Sequence, residues 1–90
     1  SASFEVTNTV HVIVDRSGQR GLLVALEAAL ERRAYPVNDL RVNAFGDDAV
    51  VVEAALTTTH VDADALDAVV RELQRLPGVQ QAFWSPSTSD

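Results

Sequence analysis

Apolar and polar positions along the chain follow one pattern twice: a strand, an amphipathic helix and a second strand. Alternation of apolar and polar residues predicts strands over residues 4–15, 37–45, 50–56 and 79–84. Apolar residues spaced three and four apart predict helices over residues 19–33 and 62–76. This β-α-β-β-α-β order is typical of the ferredoxin-like α+β fold. It predicts a four-stranded antiparallel sheet of spatial order 4-1-3-2 with both helices on one face.

The apolar stripes of the two helices predict which residues form the hydrophobic core. The expected core residues are Leu26, Leu30, Leu66, Val70 and Leu73. In the second strand, Leu40, Val42 and Ala44 share the parity that we expect to be buried beneath the helices.

The opposite face of the sheet is expected to lack helices and to offer a surface for a partner. Its predicted interaction residues are His11, Ile13, Phe45, Val51 and Phe83. Phe83 belongs to this face in one register of the last strand and Trp84 in the other, and the apolar spacing there indicates a bulge. A contiguous apolar patch would suit a homodimer or another protein, whereas scattered apolar residues are ordinary surface. Both interpretations remain open.

Composition indicates a single small domain and excludes several classes of partner. The chain has 90 residues, which we divide into a possible cloning remnant (1–3), one domain (4–85) and a flexible tail (86–90). The net charge is −6, and the seven cationic residues are scattered arginines, so we expect neither nucleic acid nor anionic lipid to bind. There is no cysteine for a disulfide or thiolate site, and no apolar run long enough to span a membrane. The absence of methionine suggests a piece of a longer protein.

No group of residues predicts catalysis or a cofactor. Asp62, Asp64 and Asp67 are the most metal-like cluster, but acids in a first helical turn complement the helix dipole and are better explained that way. His11 and His60 have no partner at a metal-ligand spacing. We therefore predict that the domain is not an enzyme, has no cofactor and binds no Mg²⁺ specifically.

The turn between the first strand and first helix is the candidate site for a small ligand. Asp15, Ser17 and Gly18 lie there, where backbone N–H groups at a helix start can bind an anion and Ser17 can cap the helix. An ordinary turn is the alternative, since every strand–helix unit needs one.

In the closing segment, residues 73–84, a leucine-rich helix ends in Pro77-Gly78-Val79, and a short strand containing Trp84 follows. This segment resembles the end of the C-terminal domain of MgtC/SapB proteins. Residues 10–15 and the leucine-rich helix after them are also consistent with that domain. The resemblance implies an ACT-like, non-catalytic regulatory or protein-interaction domain on the cytoplasmic face of a bacterial inner-membrane protein. It further implies a link to growth at low magnesium and to survival inside host phagocytes, with a protein or the chain's own membrane domain as partner.

Residues 15–23 are similar to the Asp-Arg-Pro-Gly-Leu-Leu loop of ACT domains, which holds a regulatory amino acid at a dimer interface. The alternative function is therefore amino-acid sensing for a soluble enzyme or regulator. Ser17 replaces the proline of that loop, and three residues intervene before Leu22. With Gly18 and Gly21 adding conformational freedom, we expect a mobile loop that binds no amino acid well.

Overall fold

The computed structural model describes residues 6–87 of the chain. Its four strands are β1 (Val6–Asp15), β2 (Val37–Phe45), β3 (Ala49–Thr58) and β4 (Val79–Ser87). Helix α1 (Gln19–Arg32) follows a 3-10 turn (Arg16–Gly18) after β1, and helix α2 (Ala63–Gln74) follows β3. The predicted order of elements is confirmed, and most bounds agree within two residues.

The strands form one antiparallel sheet of order β2-β3-β1-β4, which is the predicted order viewed from its other side. The central pair, β1 and β3, runs in continuous register from Val6 opposite Thr58 to Asp15 opposite Ala49. Both helices cover the same face of the sheet, which carries the even-numbered residues of β1 and β3, so the predicted ferredoxin-like fold is confirmed.

The core lies between that face and the two helices. All five core residues predicted from the helices are buried. β1 contributes Val10, Val12 and Val14, none of which is exposed. Asn8 continues this row as the buried polar side chain of the described core, and neither of its side-chain polar atoms has a hydrogen-bond partner there. An unpaired buried amide costs about 1–3 kcal/mol, which the apolar contacts must offset.

The prediction that the helix-facing residues of β2 are buried is wrong. Leu40, Val42 and Ala44 do lie on the helix side, because they pair with even-numbered residues of β3. All nine residues of β2 are nevertheless exposed, and 48% of the Leu40 surface remains accessible to solvent. Helix width does not explain this exposure, because two helices each about 10–12 Å wide could span four strands spaced about 4.8 Å apart. The helices instead lie over β1, β3 and β4, where Val12, Val52 and Ala82 are buried. Here the outer strand β2 is left uncovered.

The helix ends use backbone geometry as well as capping side chains. Asp62 caps α2, accepting a hydrogen bond from the Ala65 amide at 3.1 Å, as predicted. Ser17 does not cap α1; it lies inside the 3-10 turn, and the residue before the helix is Gly18, which has no capping side chain. Just after the end of α1, Ala34 has a φ of 55°, and the Tyr35 amide donates to the Leu30 carbonyl at 2.9 Å. That pairing is a Schellman motif with alanine at the position glycine favours.

Strand β4 is irregular and longer than predicted. Its pairing with β1 shifts where Ile13 lies opposite Gln81 and Val14 lies opposite Val79, so the predicted bulge is present. The strand continues to Ser87, beyond the predicted end at residue 84 and into the segment predicted to be a tail. The rest of that segment (88–90), the predicted remnant (1–3), and residues 4 and 5 of the first predicted strand lie outside the described residues.

Candidate interaction surface

The helix-free face of the sheet, which we call the open face, is organised around His11 on β1. The imidazole Nδ1 lies 2.8 Å from Glu53 Oε2 on β3, and Nε2 lies 2.9 Å from Ser85 Oγ on β4. The ring also stacks on Phe83, with centroids 4.6 Å apart and planes 13° from parallel. Contacts on both sides hold His11 in one orientation and fix the side chains of three strands relative to one another.

An apolar stripe runs diagonally across the open face and touches every strand. Ile13 and Val51 are directly opposite each other on the central strands. Phe83 is the diagonal neighbour of Ile13 on β4, and Phe45 is the diagonal neighbour of Val51 on β2. Diagonal neighbours lie about 7–8 Å apart, within reach of aromatic side chains. We call these four residues the diagonal stripe; its two aromatic ends are 50% (Phe45) and 42% (Phe83) exposed.

A polar depression of about 320 Å³ adjoins the stripe. Its lining residues are Thr9, His11, Asp39, Arg41, Glu53 and Ala55. The Arg41 Nε donates to Asp39 Oδ2 at 2.9 Å along the exposed strand β2. The open face therefore combines apolar anchors with charged groups of both signs, a composition typical of protein-binding surfaces.

The pairing of β4 decides which aromatic residue reaches the open face. Phe83 lies opposite His11, whereas Trp84 lies opposite Val10 on the helix side. The Trp84 indole Nε1 donates to Asp67 Oδ1 on α2 at 2.8 Å. The bulge makes this arrangement possible, because it places both Val79 and Trp84 on the helix side despite their odd separation.

The predicted ligand-binding turn uses the polar groups of Asp15 and the Arg16 amide in contacts within the domain. The Asp15 amide donates to the Gly78 carbonyl at 2.9 Å, and the Arg16 amide donates to the Asp48 carbonyl at the same distance. The Asp15 carboxylate accepts from Gln80 Nε2 at 2.6 Å. Ser17 is exposed beside them. The turn is therefore anchored to the β2–β3 hairpin and to the turn before β4. This anchoring does not fit the mobile loop that we expected.

Gly18 in this turn is required for space. A Cβ atom there would lie 2.6 Å from the Pro77 carbonyl oxygen and 3.0 Å from a methyl of Val14. The close approach joins the start of α1 to the turn before β4. That no amino acid binds at this turn remains a prediction, but the reason for it changes. The contacts of Asp15 and Arg16 within the domain now support it, rather than a flexible backbone at Gly18 and Gly21.

The three aspartates of α2 have separate structural roles. Asp62 caps the helix, Asp67 holds Trp84, and Asp64 lies in the first turn, where it complements the dipole. Burial, reinforced by the Asp62 charge, raises the pKa of Tyr35 above its ordinary value. Within residues 6–87, no three His, Asp or Glu side chains converge on a common metal position. The absence of specific Mg²⁺ binding remains a prediction that titration can test.

Sequence reasoning missed one exposed apolar region altogether. Between α1 and β2 lies a groove of about 430 Å³, lined by Leu23, Leu26, Glu27, Val37 and Leu40. Val24 on α1 is 66% exposed but does not line this groove. No sequence signal pointed to the groove, because apolar alternation in β2 predicts a buried side and conceals the fact that no helix covers that strand.

Comparison with known proteins assigns the chain to a family. The model of the MGTC/SAPB C-terminal domain matches residues 9–84, which contain nearly all of the fold and every residue of the diagonal stripe. The chain belongs to the MgtC/SapB C-terminal domain family. No curated protein sequence matches significantly.

Solved structures of similar shape support the fold. The solution structure of the C-terminal domain of the MgtC protein from Mycobacterium tuberculosis has a TM-score of 0.85 at 20% identity, over 97% of this chain and 93% of that one. The ACT domain of GTP pyrophosphokinase from Chlorobium tepidum has a TM-score of 0.67 at 11% identity, over 91% and 100%. A de novo designed protein, Foldit4, has a TM-score of 0.77 at 14% identity, over 97% and 100%. The MgtC-like domain is therefore ACT-like in fold.

Neither helix among residues 6–87 is long and apolar enough to cross a membrane.

Proposed function

We propose that this domain is the non-catalytic, cytoplasmic docking module of an MgtC-like inner-membrane protein, and that it binds a protein surface through the open face. Membership of the MgtC/SapB C-terminal domain family supports the setting. The proposal includes the physiological role implied by that family resemblance: growth at low magnesium and survival in host phagocytes.

The diagonal stripe is the observation that carries the docking role. A sheet face that only meets water has no need of two half-exposed phenylalanines joined by aliphatic residues across all four strands. Aromatic residues are enriched at protein interfaces relative to the rest of the protein surface. The His11–Glu53–Ser85 hydrogen bonds hold this surface rigid, which lowers the entropy lost on binding.

Site-specific photocrosslinking in the full-length membrane protein tests this proposal. A benzophenone amino acid at Phe83 keeps an exposed aromatic group on the open face, and the same group at Val24 serves as the control on α1. We expect an adduct from position 83, identified by mass spectrometry as the membrane half of the same chain or as one defined protein. The proposal is wrong if position 83 gives no adduct beyond that of position 24.

A growth assay connects the surface to the physiological role. In the parent protein, Phe45→Ser combined with Phe83→Ser should abolish growth at low magnesium, while Val24→Ser should leave growth unchanged. Circular dichroism of the isolated variants must show intact folding, which we expect because both phenylalanines lie outside the core. Normal growth with the doubly substituted protein would contradict the docking role.

A further inference from the structure

Three polar side chains on the open face form a chain of hydrogen bonds whose chemistry the docking role does not use. The imidazole of His11 on β1 places Nε2 at 2.9 Å from Ser85 Oγ on β4 and Nδ1 at 2.8 Å from Glu53 Oε2 on β3. Both distances are those of well-formed hydrogen bonds. A hydroxyl, an imidazole and a carboxylate in this order activate serine nucleophiles on several unrelated folds.

The imidazole is set up to act as a base on its Nε2 side. A carboxylate only accepts hydrogen bonds, so Nδ1, the ring nitrogen beside Glu53, carries the proton. Nε2 then has a free lone pair and accepts from the Ser85 hydroxyl. Stacking on Phe83, with ring centroids 4.6 Å apart, holds the ring in this orientation before any reagent arrives. His11 is thus placed to take the Ser85 proton as the oxygen attacks an electrophile.

We infer that Ser85 is an activated nucleophile that accepts an acyl group from an acyl thioester. Ser85 Oγ attacks the carbonyl carbon of the thioester while His11 Nε2 takes the hydroxyl proton. The carbon–sulfur bond then breaks, the new oxygen–carbon bond remains, and the departing thiolate receives the proton from Nε2. Nothing is oxidised or reduced. Glu53 acts through His11 as a positioning residue, because it holds the ring in the reactive tautomer.

The charges around Ser85 favour an acyl donor over a phosphoryl donor. Phosphoryl transfer depends on cationic groups that neutralise the transferred phosphate. The charged group in this chain of hydrogen bonds is instead the Glu53 carboxylate, and the net charge of the protein is −6. Arg41 also lies on the open face, but it belongs to β2 at the far side of the sheet and donates to Asp39. The carbonyl carbon of a thioester needs no such cation.

The apolar surface beside Ser85 suits an aliphatic acyl chain. Side chains two residues apart on a strand share a face, so Phe83 lies next to Ser85 on β4. Ile13 is the diagonal neighbour of Phe83 and extends this surface towards the centre of the sheet. An acyl chain on Ser85 would therefore lie along one half of the diagonal stripe and bury part of it.

The reaction is expected to stop after one acyl group per chain. Hydrolysis of the serine ester must expel an alkoxide, which is a much poorer leaving group than a thiolate, so the ester outlasts the thioester that formed it. The domain is thus modified once and does not turn substrate over, in agreement with a non-catalytic role. Masking of the docking surface by the acyl chain rests on the proposed function, whereas the acylation itself does not.

The composition of the chain makes Ser85 easy to test. The chain has neither cysteine nor lysine, the two side chains that compete most strongly for acyl groups. Ser17 is a matched comparison, because its hydroxyl is exposed in the 3-10 turn, whereas His11 hydrogen-bonds to Ser85. Both serines belong to the same molecule, so a difference between their rates cannot come from a difference in folding.

Reaction with the hexanoyl thioester of N-acetylcysteamine, after reductive methylation of the N-terminal amine, tests the inference. Peptide mass spectrometry follows hexanoylation at each serine, and a thiol reagent measures the released thiol without a cysteine background. We expect Ser85 to react about 100-fold faster than Ser17, at the lower end of the range for general-base catalysis, and thiol release to stop at one equivalent. Equal rates at the two serines would overturn the inference, and continued thiol release would contradict a single modification.

Two substitutions separate activation of Ser85 from its accessibility. His11→Gln removes the base and should lower the Ser85 rate to that of Ser17. Glu53→Gln should lower the Ser85 rate at least about ten-fold and shift the ¹⁵N resonances of the His11 imidazole, because the ring is no longer held in one tautomer. Ser17 is the internal reference in each folded variant, and an unchanged Ser85 rate in His11→Gln would refute the inference. Neither result bears on the crosslinking test at Phe83, which uses no acyl donor.

Discussion

The two outer strands of the sheet both place apolar residues on the helix side, but their surroundings differ. β4 places Ala82 and Trp84 beneath α2, where Ala82 is buried and Trp84 donates to Asp67. β2 places Leu40 and Val42 on the same side of the sheet, yet both remain exposed. Apolar alternation therefore specifies which face of the sheet a residue occupies, but not whether a helix covers it.

The contrast also separates the uses of the two edges. On the β4 side, contacts between α2, the Pro77–Gly78 turn and the start of α1 join three parts of the chain. On the β2 side, the chain offers unpaired backbone and apolar side chains instead. The β4 edge therefore contributes to the stability of the fold, whereas β2 leaves apolar side chains exposed.

The largest effect should distinguish core from edge. Leu73 on α2 is fully buried, so Leu73→Ala should lower the free energy of unfolding by about 2–5 kcal/mol. Leu40→Ala on β2 should cost less than about 1 kcal/mol, because half of that side chain already contacts water. Urea denaturation of the two variants provides the measurement. Comparable losses at both positions would mean that β2 is covered in solution.

A smaller effect should appear at the contact between α1 and the turn before β4. Gly18→Ala should cost about 1–3 kcal/mol, because the new methyl would overlap the Pro77 carbonyl oxygen. Gly21→Ala is the matched control: no atom lies within 4 Å of its added Cβ, and alanine favours the helix. We expect that variant to gain about 0.5–1 kcal/mol. Thermal unfolding of the pair should therefore show shifts of opposite sign, and a neutral Gly18→Ala would contradict the close packing.

The smallest effect concerns the hydrogen bond that joins β4 to α2. Trp84→Phe keeps most of the ring and removes the N–H group, so it should cost about 0.5–1.5 kcal/mol. In an Asp67→Ala background the same change should cost distinctly less, because the acceptor is already gone. A double-mutant cycle by urea denaturation measures this coupling. Equal costs in both backgrounds would show that Trp84 contributes through packing alone.

Much of the candidate surface was predictable from single residues. His11, Ile13 and Val51 follow directly from parity in β1 and β3, because each strand position alternates between two faces. The pairing of Phe83 with His11 was not predictable, since the bulge in β4 shifts the register by one residue. The Ser85 contact depends on the same register and on β4 continuing past its last apolar residue.

The turn at Asp15 shows why local chemistry alone misleads. Its sequence offers a free helix start with two flexible glycines nearby, but partners more than thirty residues away occupy its groups. Asp48 belongs to the β2–β3 hairpin and Gly78 to the turn before β4. These partners become neighbours only when the sheet forms.

Local sequence patterns were enough to predict the order of elements, the face of each residue on the central strands, the helix cap at Asp62 and the five core positions of the helices. These depend on local periodicity and backbone chemistry, which act within about one turn or one strand. Three outcomes follow only from the assembled fold: β2 stays uncovered, Trp84 joins the helix side, and Gly18 must be small. They depend on where the two helices lie across the four-stranded sheet and on the register of an irregular strand, neither of which is encoded in any short segment.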